Sequence, residues 1–142
     1  MTFFDYPGEA TAAPAATVFL EDATPKDWDD LLAATTVRTL SAGEVLGYAE
    51  CALFLVRSGS LEVITPQGKK WKRVTTVGSG AVLGELGFLD GVPDPTLARA
   101  LEPSTVAELT HTGFAGLAAD RPELAVLLAM DLGRILAGRL RA

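Results

Sequence analysis

The sequence predicts a mainly β domain, a sandwich or barrel with helices flanking it. Three observations point there. Residues 36–109 alternate short β-branched or aromatic runs with turn residues, at the spacing of sandwiches and barrels. The segments before and after carry apolar residues at helical spacing instead. The 14 glycines and 8 prolines suit a chain with many tight turns.

Residues 1–16 are rich in Ala, Pro and Thr without periodicity, and read as a flexible arm whose Phe3, Phe4 and Tyr6 are candidates for docking on the core. A single domain is expected over residues 17–142. Thr24 then Pro25 give an N-cap and a first-turn proline, and the acids that follow suit the positive end of a helix dipole. Trp28, Leu31 and Leu32 share one face of that helix, about ten residues long. Strands are predicted at 37–40, 45–46, 52–56, 61–65, 71–77, 82–83, 96–101 and 105–109. Pro66-Gln67-Gly68 reads as the turn of a hairpin between the fourth and fifth. Past Leu109 the pattern turns helical, with Thr110 or Thr112 capping a short helix through Phe114 and Leu117. Asp120-Arg121-Pro122-Glu123 reads as the start of a last helix of about 20 residues, ~30 Å long. Its apolar stripe (Leu124, Leu127, Leu128, Leu132, Ile135, Leu136, Leu140) is longer than one face of a small barrel requires. Core packing and a homodimer seam both account for it.

With 142 residues the chain makes one domain large enough for a core. Its net charge of −6 argues against nucleic acid or an anionic membrane as partner. Lys69, Lys70, Lys72 and Arg73 are the exception, a local cluster read as a solvated hairpin tip. Cys51, the single cysteine, excludes an internal disulfide and sits in an apolar run that suggests a buried, inert thiol. The N-terminus has no secretory pattern and no apolar run approaches the ~20 residues of a membrane helix. A cytoplasmic location is expected.

Residues 80–101 are more specific: GAVLGELGFLDGVPDPTLARAL. This segment resembles the phosphate-binding cassette of the cyclic-nucleotide-binding domain family, the sensor of catabolite-activator proteins and kinase regulatory subunits. Gly84-Glu85-Leu86 matches the opening of the cassette, Leu89 and Gly91-Val92-Pro93 its loop, and Leu97-Ala98-Arg99-Ala100 its strand. Residues 41–46 and 54–63 resemble the family's early strands, and residues 114–124 with the terminal helix resemble its closing helices. The likeness covers residues 17–141. The run 77–85 is also similar to sensor domains fused to some sulfate-permease-like transporters. The resemblance implies a jelly-roll-like barrel of the double-stranded β-helix kind, a cyclic-nucleotide-binding β-roll, and a ligand site at Gly84, Glu85, Leu86, Gly87, Pro93, Asp94, Pro95 and Thr96.

In that implied site, the amides of residues 84–87 cradle an anion at a helix start, and Glu85 accepts from ribose hydroxyl. The family's arginine after the proline pairs with the cyclic phosphate. Here that position is Asp94, followed by Pro95, which has no backbone N–H. Losing a charge-assisted bond forfeits ~1.5–3 kcal/mol. A carboxylate beside a phosphate adds repulsion of up to ~4 kcal/mol at ~4 Å and an effective dielectric of ~20. Even half that total lowers affinity by on the order of a hundredfold. Arg99, an odd number of residues from Asp94 along a strand, is expected on the other face. The stretch between Glu44 and Leu53 is shorter than the family pattern, with Gly47-Tyr48-Ala49-Glu50 as a cropped turn.

The leading expectation is therefore a non-enzymatic regulatory or sensor module with weak or lost cyclic nucleotide binding and no cofactor. Its partner would be another small molecule or a protein. A working cyclic AMP or cyclic GMP sensor with a rearranged pocket is the alternative. A cupin-like enzyme is the third class, disfavoured because such metal sites need several histidines and the chain has only His111. In catabolite-activator proteins a helix-turn-helix follows the long helix; the sequence ends at Ala142, so the expectation is a sensor half alone.

Overall fold

A computed structural model describes residues 19–47 and 51–141. The expected arm, with Phe3, Phe4 and Tyr6, and residues 48–50 of the cropped turn lie outside them. Helix α1 (Pro25–Ala33) precedes strands β1 (Thr36–Leu40), β2 (Val45–Gly47), β3 (Leu53–Ser58), β4 (Ser60–Gln67), β5 (Lys70–Gly78) and β6 (Val82–Leu83). Helix α2 (Glu85–Asp90), strands β7 (Leu97–Ala100) and β8 (Ser104–Leu109), and helices α3 (His111–Asp120) and α4 (Pro122–Arg141) complete the order. The strands form two antiparallel four-stranded sheets, β1-β8-β3-β6 and β2-β7-β4-β5. This is the jelly-roll-like architecture expected from the sequence.

Two apolar clusters follow from strand alternation. Phe54 and Val56 of β3 join Leu61, Val63, Ala98 and Ala100 inside the roll. Leu53 and Leu55 point the other way, into a cluster with Leu31, Leu117, Leu124, Leu128 and Leu132 of the helices. Sheet β1-β8-β3-β6 is thus covered on both sides, which is why Leu53, Phe54, Leu55 and Val56 are buried in succession.

Local chemistry sets the helix ends. Thr24 caps α1 by accepting from the Asp27 amide while the Asp27 carboxylate accepts from the Thr24 amide. Thr110, rather than Thr112, caps α3 through the Gly113 amide. Asp120 ends α3 instead of capping α4, and Arg121 forms the corner. The arginine pairs with Asp27, Asp30 and Glu123, so its own charges hold the corner without a capping side chain. Asp131, fully buried in α4, accepts from the Leu20 amide at 2.5 Å and pairs with Arg134, tying the entry of the chain to the last helix. Phe19 then packs edge-on against Trp28. No described helix is long and apolar enough to cross a membrane.

Two expectations need correction. The β4–β5 turn is Gly68-Lys69, because Gln67 pairs with Lys70 and Gly68 takes the positive φ of 63°. Pro66 stays in β4, beyond the last β7 pairing at Ile64, where a missing N–H costs no ladder bond on that side. Cys51 is half-buried, precedes β3 and has a φ of 58°, so it is not a core thiol of a strand.

The β3–β4 connection depends on Gly59, whose φ is 95° and whose added Cβ would lie 2.6 Å from Ser104 Cα. Gly59→Ala is expected to destabilise the fold by about 3 kcal/mol through backbone strain and overpacking, read as a lowered urea midpoint at unchanged slope.

Candidate functional site

The β6–α2 junction is built around glycine. Gly84 has a φ of 79°, and a Cβ there would meet the Ala52 carbonyl oxygen at 2.5 Å. No other residue type fits so close to β3. Its carbonyl accepts from the Phe88 amide and starts a six-residue helix. Gly87 is also closely packed, with the Val92 carbonyl 3.0 Å and Cys51 Sγ 3.5 Å from the place of its missing Cβ. Leu86 is half-buried between them. Gly91, at φ 73°, stops the helix by donating to the Gly87 carbonyl, and Asp90 accepts from the Val92 amide at 2.8 Å.

Glu85 is 1% exposed and forms an ion pair with Arg139, in the last turns of α4. A guanidinium beside a buried carboxylate offsets part of the cost of taking it out of water. Sequence reasoning missed Arg139. The helical stripe marked α4 as packed, but nothing in the spacing says that its far end reaches residue 85.

The second half of the cassette is turned on itself. Asp94, half-buried, accepts from the Thr96 amide at 2.8 Å, closing a tight turn in which Pro93 and Pro95 are exposed. Thr96 is buried and its hydroxyl has no hydrogen-bond partner among the described residues. No hydrogen bond or ion pair among the described residues joins Glu85 to Asp94 or Thr96. Of the eight residues implied by resemblance, Gly84–Gly87 open α2 and Pro93–Thr96 form the turn before β7.

Arg99 is engaged by Glu62. It lies on the exposed side of β7 opposite Glu62 of β4, with Nη2 2.5 Å from Oε2. Arg73 of β5 holds the other oxygen at 3.0 Å. Hydrogen bonding from Arg99 first, then from Arg73, depresses the Glu62 pKa against the opposing effect of burial.

His111 Nε2 is 2.7 Å from the Phe88 carbonyl oxygen, and its ring packs 4.9 Å from that of Phe88. The chain's lone histidine therefore ties α2 to the start of α3. No group of three or more His, Cys, Asp or Glu that could hold a metal occurs among the described residues. An open depression of about 540 Å³ lies away from the cassette between α1 and α3, with Asp30, Ala33, Gly116 and Arg121 in its lining.

Comparison with known proteins bears on this arrangement. The family described as cyclic nucleotide-binding domain matches residues 37–121. The catabolite activator protein of Thermus thermophilus superposes with a TM-score of 0.75 and 27% identity, over 88% of this chain and 58% of that one. The N-terminal domain of a transcriptional regulator from Streptomyces coelicolor A3(2) gives 0.75 and 23%, over 90% and 94%. A cyclic nucleotide-binding domain from Methylobacillus flagellatus KT gives 0.76 and 24%, over 86% and 71%. The chain spans little more than half the length of the first of these. No curated protein matches it.

Because the folded Glu62 pKa lies below its ordinary 4.5, the ionised group stabilises the fold above that value, and the contribution is lost as pH falls through the depressed folded value. Glu62→Gln is expected to lower the urea midpoint at about pH 6, with the gap to wild type narrowing steadily below the ordinary glutamate range. A gap that stays constant with pH would assign the effect to packing.

Proposed function

The chain belongs to the cyclic nucleotide-binding domain family, and on that premise we propose that it is a non-enzymatic regulatory sensor whose cyclic nucleotide binding is weak or lost. The observation that carries this reading is the Glu85–Arg139 pair. The carboxylate that the family resemblance assigns to ribose is already engaged by the chain's own guanidinium, in a site with almost no solvent. A nucleotide would have to break a buried ion pair, which costs several kcal/mol when one charge is left without a partner, about 3–5. It would also meet Asp94 where the resemblance places an arginine, and that carboxylate already serves its own turn. The natural ligand is then a different small molecule or a protein.

A second reading has one observation in its favour. Arg139 brings to the cassette the guanidinium that position 94 lacks, so a working sensor with a rearranged pocket would use it to hold the cyclic phosphate.

Calorimetric titration separates the two. Wild type is expected to show no saturation with cyclic AMP or cyclic GMP at low micromolar concentration, and Asp94→Arg to raise affinity on the order of a hundredfold. Low-micromolar binding by wild type would overturn the first reading. Loss of that binding in Arg139→Met would establish the second.

The outer side of α4 supports a homodimer. Val126, Met130, Gly133, Ala137 and Leu140 are exposed at alternating spacings of four and three, the seam of a two-stranded coiled coil. Light scattering on a sizing column is expected to give twice the chain mass, and Met130→Glu to give the monomer. A monomeric wild type would leave the stripe without this role.

A further inference from the structure

The ribbon of β4 and β5 outruns its sheet. β4 pairs with β7 only through residues 61–64, whereas its pairing with β5 continues to Gln67 and Lys70. At ~3.3 Å per residue the overhang projects about 10 Å. β5 is also the outer strand of its sheet, so one backbone edge has no strand partner among the described residues. Trp71, opposite Pro66, is 52% exposed. Lys69, Lys70 and Lys72 are exposed and make no ion pair among the described residues. Arg73 pairs with Glu62, the single acid in residues 60–78.

Four of the chain's 12 basic residues thus lie on one projecting ribbon of a protein with net charge −6, around an exposed indole and an open strand edge. We propose that this ribbon binds an extended acidic segment of a partner protein. The segment adds along the β5 edge, with carboxylates against Lys69, Lys70 and Lys72 and an apolar side chain on Trp71. Main-chain bonds to the edge supply affinity, the indole anchors, and the lysines steer and select.

Charge distribution sets this occupant apart from others. A second copy is disfavoured, because an antiparallel β5–β5 pair centred on Trp71 sets Lys70 against Lys72. A bilayer or polynucleotide presents phosphates well beyond the short ribbon, to a protein whose net charge is −6. A single peptide strand stays within the basic region.

The test uses the full chain with Trp28→Phe, which leaves Trp71 as the sole indole reporter. A blocked peptide of about ten residues alternating Glu and Val, the length of a long strand, is titrated against its emission. Parallel arms use a Lys–Val peptide, phosphatidylserine vesicles and single-stranded oligothymidylate. A saturable change with the acidic peptide alone is expected, weakened at least tenfold by K69E/K70E/K72E at an unchanged melting temperature. If the triple variant melts early, Lys70→Glu alone is expected to weaken binding about threefold. No response at millimolar peptide, indifference to the lysines, or equal binding to vesicles or oligonucleotide would overturn the proposal.

Discussion

The structure depends on a sheet that must be dry on both sides. In β3, Phe54 and Val56 fill the roll while Leu53 and Leu55 receive the helices, and all four are buried. Neither cluster is complete without the other, because the same strand contributes alternate residues to each. Helices α1, α3 and α4 are therefore held against the outer surface of the sheet by apolar contact. Burial of this kind has no direction of its own. Orientation comes from a few polar fasteners: Asp131 on the Leu20 amide, Arg121 among three acids, and His111 on the Phe88 carbonyl.

The last of these fasteners connects the core to the cassette. α2 is six residues long, too short to be stable by itself. It is held by the close approach of Gly84 to β3, by Phe88 packing edge-on against Phe114, and by His111. Arg139 approaches the same helix from α4. The cassette is consequently joined at two points to helices outside the roll, and any movement of α4 changes the electrostatic surroundings of Glu85. That coupling needs no ligand; it follows from placing a buried charge on one element and its counter-charge on another.

Charge is otherwise arranged in separate groups. Acids crowd around α1 and Arg121, and the Arg99–Glu62–Arg73 set lies on the outer face of the second sheet. Lys69, Lys70 and Lys72, without ion pairs among the described residues, lie on the β4–β5 ribbon. A net charge of −6 describes none of these places. What a partner meets depends on which surface it approaches, since charges beyond about 10 Å are screened in physiological salt.

The sequence by itself determined the elements. Short β-branched or aromatic runs between turn residues marked eight strands, and Thr24-Pro25 and the Thr110/Thr112 pair marked two helix starts, because these signals act between near neighbours in the chain. The family resemblance rested on the order of several motifs together, residues 41–46, 54–63, 80–101 and 114–124. The β4–β5 turn was misplaced because Pro and Gly both signal a turn, and pairing register decides which of them occupies it. Asp120 resembled a cap because Asp-Arg-Pro-Glu is a cap pattern locally, yet the Arg121 ion pairs made the corner without it. Only the tertiary structure decided that Arg99 faces Glu62 across two strands and that Arg139 meets Glu85. Neither partner is near in sequence. A charge's counterpart is chosen by which surfaces pack together, and no local pattern of residues encodes that.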